Sequence, residues 1–243
     1  RNPLKDLRVR KALSIAIDRA AEVAQIMEGV GTPSVQFMAK GTYGYVPDLD
    51  TRARARGDAA GARKLLAEAG YPNGFRITLH GSNDRYPNDF RIVQAVAQMW
   101  TRAGVRTAVE TAPYASFITR ASRQEFSMFL VSWGTSTGEP SPGLRSTAAT
   151  YDPSKGMGSV NRGRYSNPAF DAQLLAAMRE LDDDKREKML QQATRMLIDD
   201  VGIIPIHLQK NVWGMRRGFT HNTRVDELTR PQDFHAATVT TRQ

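Results

Sequence analysis

The chain of 243 residues is 40% hydrophobic and 24% charged, a globular composition that excludes a disordered or fibrous polypeptide and supports one large domain, or one domain with an appendage. Cysteine is absent, which removes disulfides, thiolate zinc sites and thiol nucleophiles together, and no apolar run approaches the roughly 18 residues that a membrane-spanning helix needs. The formal charge of +9 comes mostly from arginines scattered along the chain without interleaved aromatic residues, so it argues against nucleic acid as a partner.

The first residues, Arg1-Asn2-Pro3-Leu4, open directly onto a helical pattern with neither Met nor an apolar leader, so a processed or excised chain is expected. From Asp6, a capping residue, Val9, Ala12, Leu13, Ala16 and Ile17 recur at helical spacing. Asp18 starts a second helix that carries Val23, Ile26 and Met27 inward and stops at Gly29. Residues 31 to 57 are rich in Gly, Pro, Tyr and Asp without a period, which predicts an extended surface loop. Asp58 then caps a helix whose Ala62, Leu65, Leu66 and Ala69 share a face, closed by Gly70 and the turn Tyr71-Pro72-Asn73-Gly74.

Phe75, Ile77 and Leu79 alternate with Arg76, Thr78 and His80 as in a half-buried strand. A polar loop leads to a helix with Ile92, Val96, Met99 and Trp100 facing in, and Val105, Thr107 and Val109 give the next strand. A short helix around Phe117 precedes an apolar strand expected over 126 to 133. Helix and strand trading places in this way predict an α/β fold with a mostly buried sheet. Residues 134 to 163 read as a second long loop. Asn167-Pro168 caps and starts a helix with Leu174, Leu175 and Met178 inside. The acidic run 182 to 184 stands at the start of another helix, holding Met189, Leu190, Ala193, Met196 and Leu197, where carboxylates suit the positive end of the helix dipole. A last strand is expected over 201 to 208, bent at Pro205; beyond Gly214 the period is lost.

Motifs for catalysis are absent from the sequence. There is no GxxxxGK[ST] loop, no complete dinucleotide fingerprint around Gly156 and Gly158, no GxSxG elbow and no paired spacing among His80, His207, His221 and His235, so neither a cofactor nor a metal is expected. A catalytic group assembled from distant residues leaves no local signature, and an α/β enzyme acting on a small polar substrate through such a dispersed site is the alternative function.

Several segments together resemble the extracellular solute-binding proteins, family 5, which carry oligopeptides, dipeptides or nickel to ABC importers: Leu4 to Leu13 with Ala16-Ile17-Asp18-Arg19, Ala62 to Pro72, Asn167 to Asp171, and Ile204-Pro205-Ile206. The resemblance implies the fold of a type II periplasmic binding protein, here its carboxy-terminal lobe, with a central mixed sheet flanked by helices. It implies residues 1–210 as the ligand-binding lobe and 211–243 as a segment returning to an amino-terminal lobe that this chain lacks. It also implies a periplasmic location, a peptide or small polar solute as ligand, an inner-membrane permease as partner, and no catalysis.

In that family the strand ending at Trp133 delivers a cleft loop that holds the ligand's amino group with an acid. Here Trp133-Gly134-Thr135-Ser136-Thr137-Gly138-Glu139-Pro140 places Ser136 at the acid's position, and Glu139 is the nearest carboxylate. Tyr114 resembles an aromatic cleft position of the family. Asn83, Arg85 and Tyr86 follow a strand, where open α/β sheets place ligands, and Arg85 suits a carboxylate. Tyr43, Tyr45 and Asn161, in the two long loops, are secondary candidates.

Overall fold

The computed structural model describes residues 2–224 and 226–236, apart from the side chain of Arg54. Its first unit is α1 (Leu7–Ile15) and α2 (Arg19–Gln25), each capped as the sequence predicts: Asp6 accepts from the Arg8 backbone N–H at 2.9 Å and Asp18 from that of Ala21 at 2.9 Å. Next come β1 (Gly31–Pro33), α3 (Leu49–Arg54) and α4 (Ala59–Glu68), the last capped by Asp58.

The central sheet contains β2 (Arg76–Ser82), β3 (Arg106–Ala112) and β4 (Met128–Phe129) in the order β3-β2-β4, both pairings parallel. α5 (Asp89–Arg102) crosses from β2 to β3, and α6 (Tyr114–Ser122) from β3 to β4. One sheet face packs on α5, α4 and α1 through Leu79, Val93, Val96, Leu66 and Leu13, and the Trp100 indole at the centre donates to Leu13 O at 2.9 Å. On the other face, α6 buries Phe117 and Ala121 against Phe126, whose ring stacks on His80 with centroids 4.0 Å apart.

A second core lies outside the sheet. A helical turn, α7 (Ser141–Gly143), runs into a π-turn over Leu144–Ala148, and α8 (Pro168–Ala177) packs on the long α9 (Asp183–Asp199). Leu144, Phe170, Leu174, Leu190 and Leu197 are fully buried between them. Asn167 caps α8, and Asp182 caps α9 by accepting from the Lys185 N–H at 2.8 Å, so the acidic run serves the helix start. β5 (His207–Gln209) pairs antiparallel with β1, and the hairpin β6 (Phe219–His221) with β7 (Phe234–Ala236) ends the described chain. The fold is α/β, with parallel and antiparallel pairing held in separate small sheets.

Several expectations are corrected here. Residues 31 to 57 are not a surface loop: Val35, Val46, Leu49 and Ala53 form a small core with Ile198, and the buried Gln36 amide closes the segment by donating to Val46 O and accepting from Val46 N, both at 2.9 Å. Likewise the segment 134 to 163 holds α7, the π-turn and the buried Asn161, whose amide donates to Ala149 O at 2.9 Å and Tyr165 O at 2.7 Å; this makes Asn161 a structural brace. The strand expected over 126 to 133 is confined to two residues, because Phe126 turns under α6 and the chain leaves the sheet after Phe129. In place of a strand over 201 to 208, β5 starts at His207, past Pro205. Residues 205 to 207 are held by two buried charges of α2: Arg19 Nε donates to Pro205 O at 2.9 Å, and Glu22 Oε2 lies 3.1 Å from His207 Nδ1. Burial lowers the Arg19 pKa to about 10, still cationic at neutral pH.

Candidate functional site

Because all three central strands are parallel, their carboxyl ends reach one rim, where open α/β sheets place ligands. The loop after β2 is anchored by Asp89 at the start of α5. Its Oδ2 accepts from Ser82 Oγ at 2.8 Å, Arg85 N at 3.1 Å and Tyr86 N at 3.2 Å, and its Oδ1 from Phe90 N at 2.8 Å. Burial alone would push this carboxyl up, but these donors outweigh it and hold the pKa below the ordinary carboxylate value. Asp84 fastens the same loop to the end of β3 by accepting from Tyr114 N at 2.7 Å.

These anchors bring Arg85, Tyr86 and Tyr114 together. The two tyrosine rings meet edge to face with centroids 6.0 Å apart, and the Arg85 guanidinium carbon is 5.5 Å from each centroid. Arg85 has no carboxylate partner among the described residues, so it keeps its charge and its planar donors for another group. Burial, with the Tyr114 hydroxyl alongside, pushes the Tyr86 phenol above its ordinary pKa against a hydrogen bond from the Ser132 backbone. Tyr86 is therefore a neutral hydroxyl, joined to the residue before Trp133. The cluster can offer aromatic faces, a guanidinium and hydroxyl donors to an anionic or planar group.

Trp133 stands beyond β4 with 39% of its surface exposed. Its indole lies over Gly143 of α7, where an added Cβ would come 3.1 Å from Nε1. Gly134 follows, and Ser136 is exposed beyond it. Asn83 is exposed at the tip of the β2 loop. Glu139 is turned toward the second core: it accepts from Ser141 Oγ at 2.5 Å and pairs with Arg186 of α9 at 3.0 Å, so its carboxylate is already neutralised. Tyr43 belongs to the same corner, donating its hydroxyl to Asp183 O at 2.6 Å beneath Arg186.

A cavity of about 480 Å³ opens beside this rim, lined by Asn88 and Pro87 of the β2 loop, Glu28 and Met27 at the end of α2, and Lys210, Trp213, Glu227 and Thr229 of the tail. Sequence reading missed the tail residues, because a segment without period offers only its aromatic and acidic residues as signals. Among the described residues no three His, Asp or Glu side chains are grouped to hold a metal.

The comparisons agree with this architecture. Residues 1–155 match the model of the bacterial extracellular solute-binding proteins, family 5, middle region. The chain belongs to that family. It is 28% identical to heme-binding protein A of Haemophilus influenzae over 210 residues, covering 84% of this chain and 37% of that protein. It is 27% identical to di/tripeptide-binding protein 3 of Pseudomonas aeruginosa over 231 residues, covering 94% and 42%. The solved murein tripeptide binding protein MppA of Escherichia coli superposes with a TM-score of 0.79 at 25% identity, over 97% of this chain and 46% of that one. The chain thus spans less than half the length of each.

Proposed function

We propose that this chain is the carboxy-terminal lobe of a substrate-binding subunit that works outside the cytoplasmic membrane, captures a peptide or similar small polar solute, and delivers it unchanged to an ABC permease. The observation that carries the reading is the convergence of Arg85, Tyr86 and Tyr114 on the carboxyl rim of the parallel sheet, one residue from the Trp133 segment through Ser132, in a chain of this family. A solute held there is gripped from one side only. An amino-terminal lobe closing over the rim would supply the rest, in the manner of a hinged trap.

On this reading residues 1–210 form the gripping lobe and the tail from 211 crosses to the other lobe. Val212, Met215, Phe219 and Leu228 are exposed, as apolar residues awaiting a covering surface would be. Residues 237–243 of that segment lie outside the described residues. Names among the relatives, heme-, di/tripeptide- and glutathione-binding, bracket the solute class. The test is to purify the complete natural protein, identify retained small molecules by mass spectrometry, and follow the protein by small-angle X-ray scattering as each is added back. Compaction with the solute recovered intact supports the proposal; a chemically converted solute, or binding without compaction, defeats it.

A further inference from the structure

The tail places a carboxylate against the candidate rim. A Cβ built on Gly134 would lie 3.1 Å from Glu227 Oε2, so the carboxylate sits close against the backbone at the start of the loop after β4. Three charged side chains line the adjacent cavity: Glu28, Lys210 and Glu227. Glu28 pairs with Arg91 at 3.4 Å, and Lys210 donates to Gly29 O at 3.3 Å. Glu227 has no partner for its carboxylate among the described residues. Trp213 lines the same cavity, its indole fixed by donating to Thr229 Oγ1 at 2.8 Å and by His221 with ring centroids 4.7 Å apart. Glu227 itself is held at a φ of 61°, in the left-handed region, which costs backbone energy and fixes where its side chain starts.

An unpaired carboxylate and an aromatic side chain lining one cavity are the chemistry that receives an ammonium group, through a charge-assisted hydrogen bond and cation–π attraction. Ser136 is neutral, Glu139 and Asp89 are engaged by several donors, and Asp84 is tied to the Tyr114 backbone N–H, whereas the Glu227 carboxylate has no hydrogen-bond partner among the described residues. We infer that Glu227, with Trp213, forms the subsite for a primary ammonium group of the solute, supplied by the tail rather than by the loop after β4. The inference rests on the binding function proposed above and names the solute class: one that carries a free amine.

The test uses the complete protein and a panel of unmodified di- to tetrapeptides with their N-acetylated counterparts, titrated by calorimetry. Wild type should prefer the free amines. Glu227→Gln should weaken their binding about tenfold, as expected for loss of a hydrogen bond between charged groups, and leave acetylated probes unchanged. Raising the pH past the peptide amine's pKa, about 8, should weaken binding by wild type but not by Glu227→Gln, while Glu227→Asp keeps part of the preference. The inference is overturned if peptides bind without preference for the free amine, or if Glu227→Gln weakens both probe classes equally, which would make Glu227 a brace between lobes. Should no probe and no retained solute bind wild type, the binding function falls, and this subsite with it.

Discussion

Arg10 of α1 reaches Asp200, at the end of α9, with Nη2 2.6 Å from Oδ1, and the Tyr165 hydroxyl donates to Oδ2 of the same carboxylate at 2.8 Å. This joins the sheet core to the core of α8 and α9 through one half-buried acid. Asp200→Ala removes the acceptor of the Tyr165 hydroxyl and the ionic partner of Arg10, which keeps its bonds to the backbone oxygens of Asp200, Leu4 and Lys5, so it should lower the unfolding free energy by about 2 kcal/mol. Urea titration followed by circular dichroism measures it; a change under about 0.5 kcal/mol, the usual size for a surface substitution, would show the two cores to be held together elsewhere.

The same contact predicts an alkaline response. Burial, followed by the hydrogen bond to Asp200, raises the Tyr165 pKa above its ordinary value near 10. Above that value the unfolded chain releases a proton that the folded chain retains, so stability falls as pH rises from the unfolded pKa toward the folded one. Tyr165→Phe should therefore be about 1 kcal/mol less stable than wild type at pH 7, with the gap narrowing above pH 10. Parallel stability curves for the two proteins across that range would contradict the assignment.

Asp89 predicts the acid side. Its folded pKa is depressed, so its contribution is present above the unfolded value near 3.8 and is lost as pH falls below it. Asp89→Asn should cost about 2 kcal/mol at pH 7, remove part of the acid dependence below pH 4, and speed hydrogen exchange at the Arg85 and Tyr86 amides. Unaltered exchange at those amides would mean that the loop is ordered by other contacts.

Gly74 has a φ of +67°, and a Cβ there would lie 1.8 Å from Gly104 O, a backbone atom that cannot turn aside. Gly74→Ala should destabilise by about 2 kcal/mol or more, whereas Gly29→Ala, with nothing within 4 Å, should show only the smaller penalty of its positive φ. Equal thermal shifts for the pair would refute the close approach of the two turns.

Trp133→Ala and Arg85→Ala test the rim in the complete protein. Each should weaken solute binding at least about tenfold, by removing an aromatic face or a bidentate donor, while leaving the thermal midpoint nearly unchanged because both side chains are exposed or half-exposed. Unchanged affinity in both variants would remove the rim from consideration.

Much of this architecture is legible in the residues alone. The caps Asp6, Asp18, Asp58, Asn167 and Asp182 all act as expected, because capping is decided within three residues. Position after a strand singled out Arg85 and Tyr86, and the family resemblance Tyr114; the three lie together at one rim. What stayed hidden depends on partners far along the chain. Gln36 looks like a loop residue until Val46 closes on it, Glu139 looks available until Arg186 arrives from α9, and Arg19 and Glu22 look exposed until residues 205 to 207 fold over them. Glu227 could not be anticipated at all, since nothing local ties the tail to Gly134.

The shared direction of β2, β3 and β4 also bears on how such a scaffold changes over time. Exposed residues that follow the strands, such as Asn83, Arg85 and Ser136, belong to neither hydrophobic interior, so an exchange at one of them can alter what is recognised with little effect on what keeps the chain folded. A lineage built on this plan can exchange one cargo for another by editing a few short stretches, and descendants with quite different solutes can still look nearly alike in their interiors.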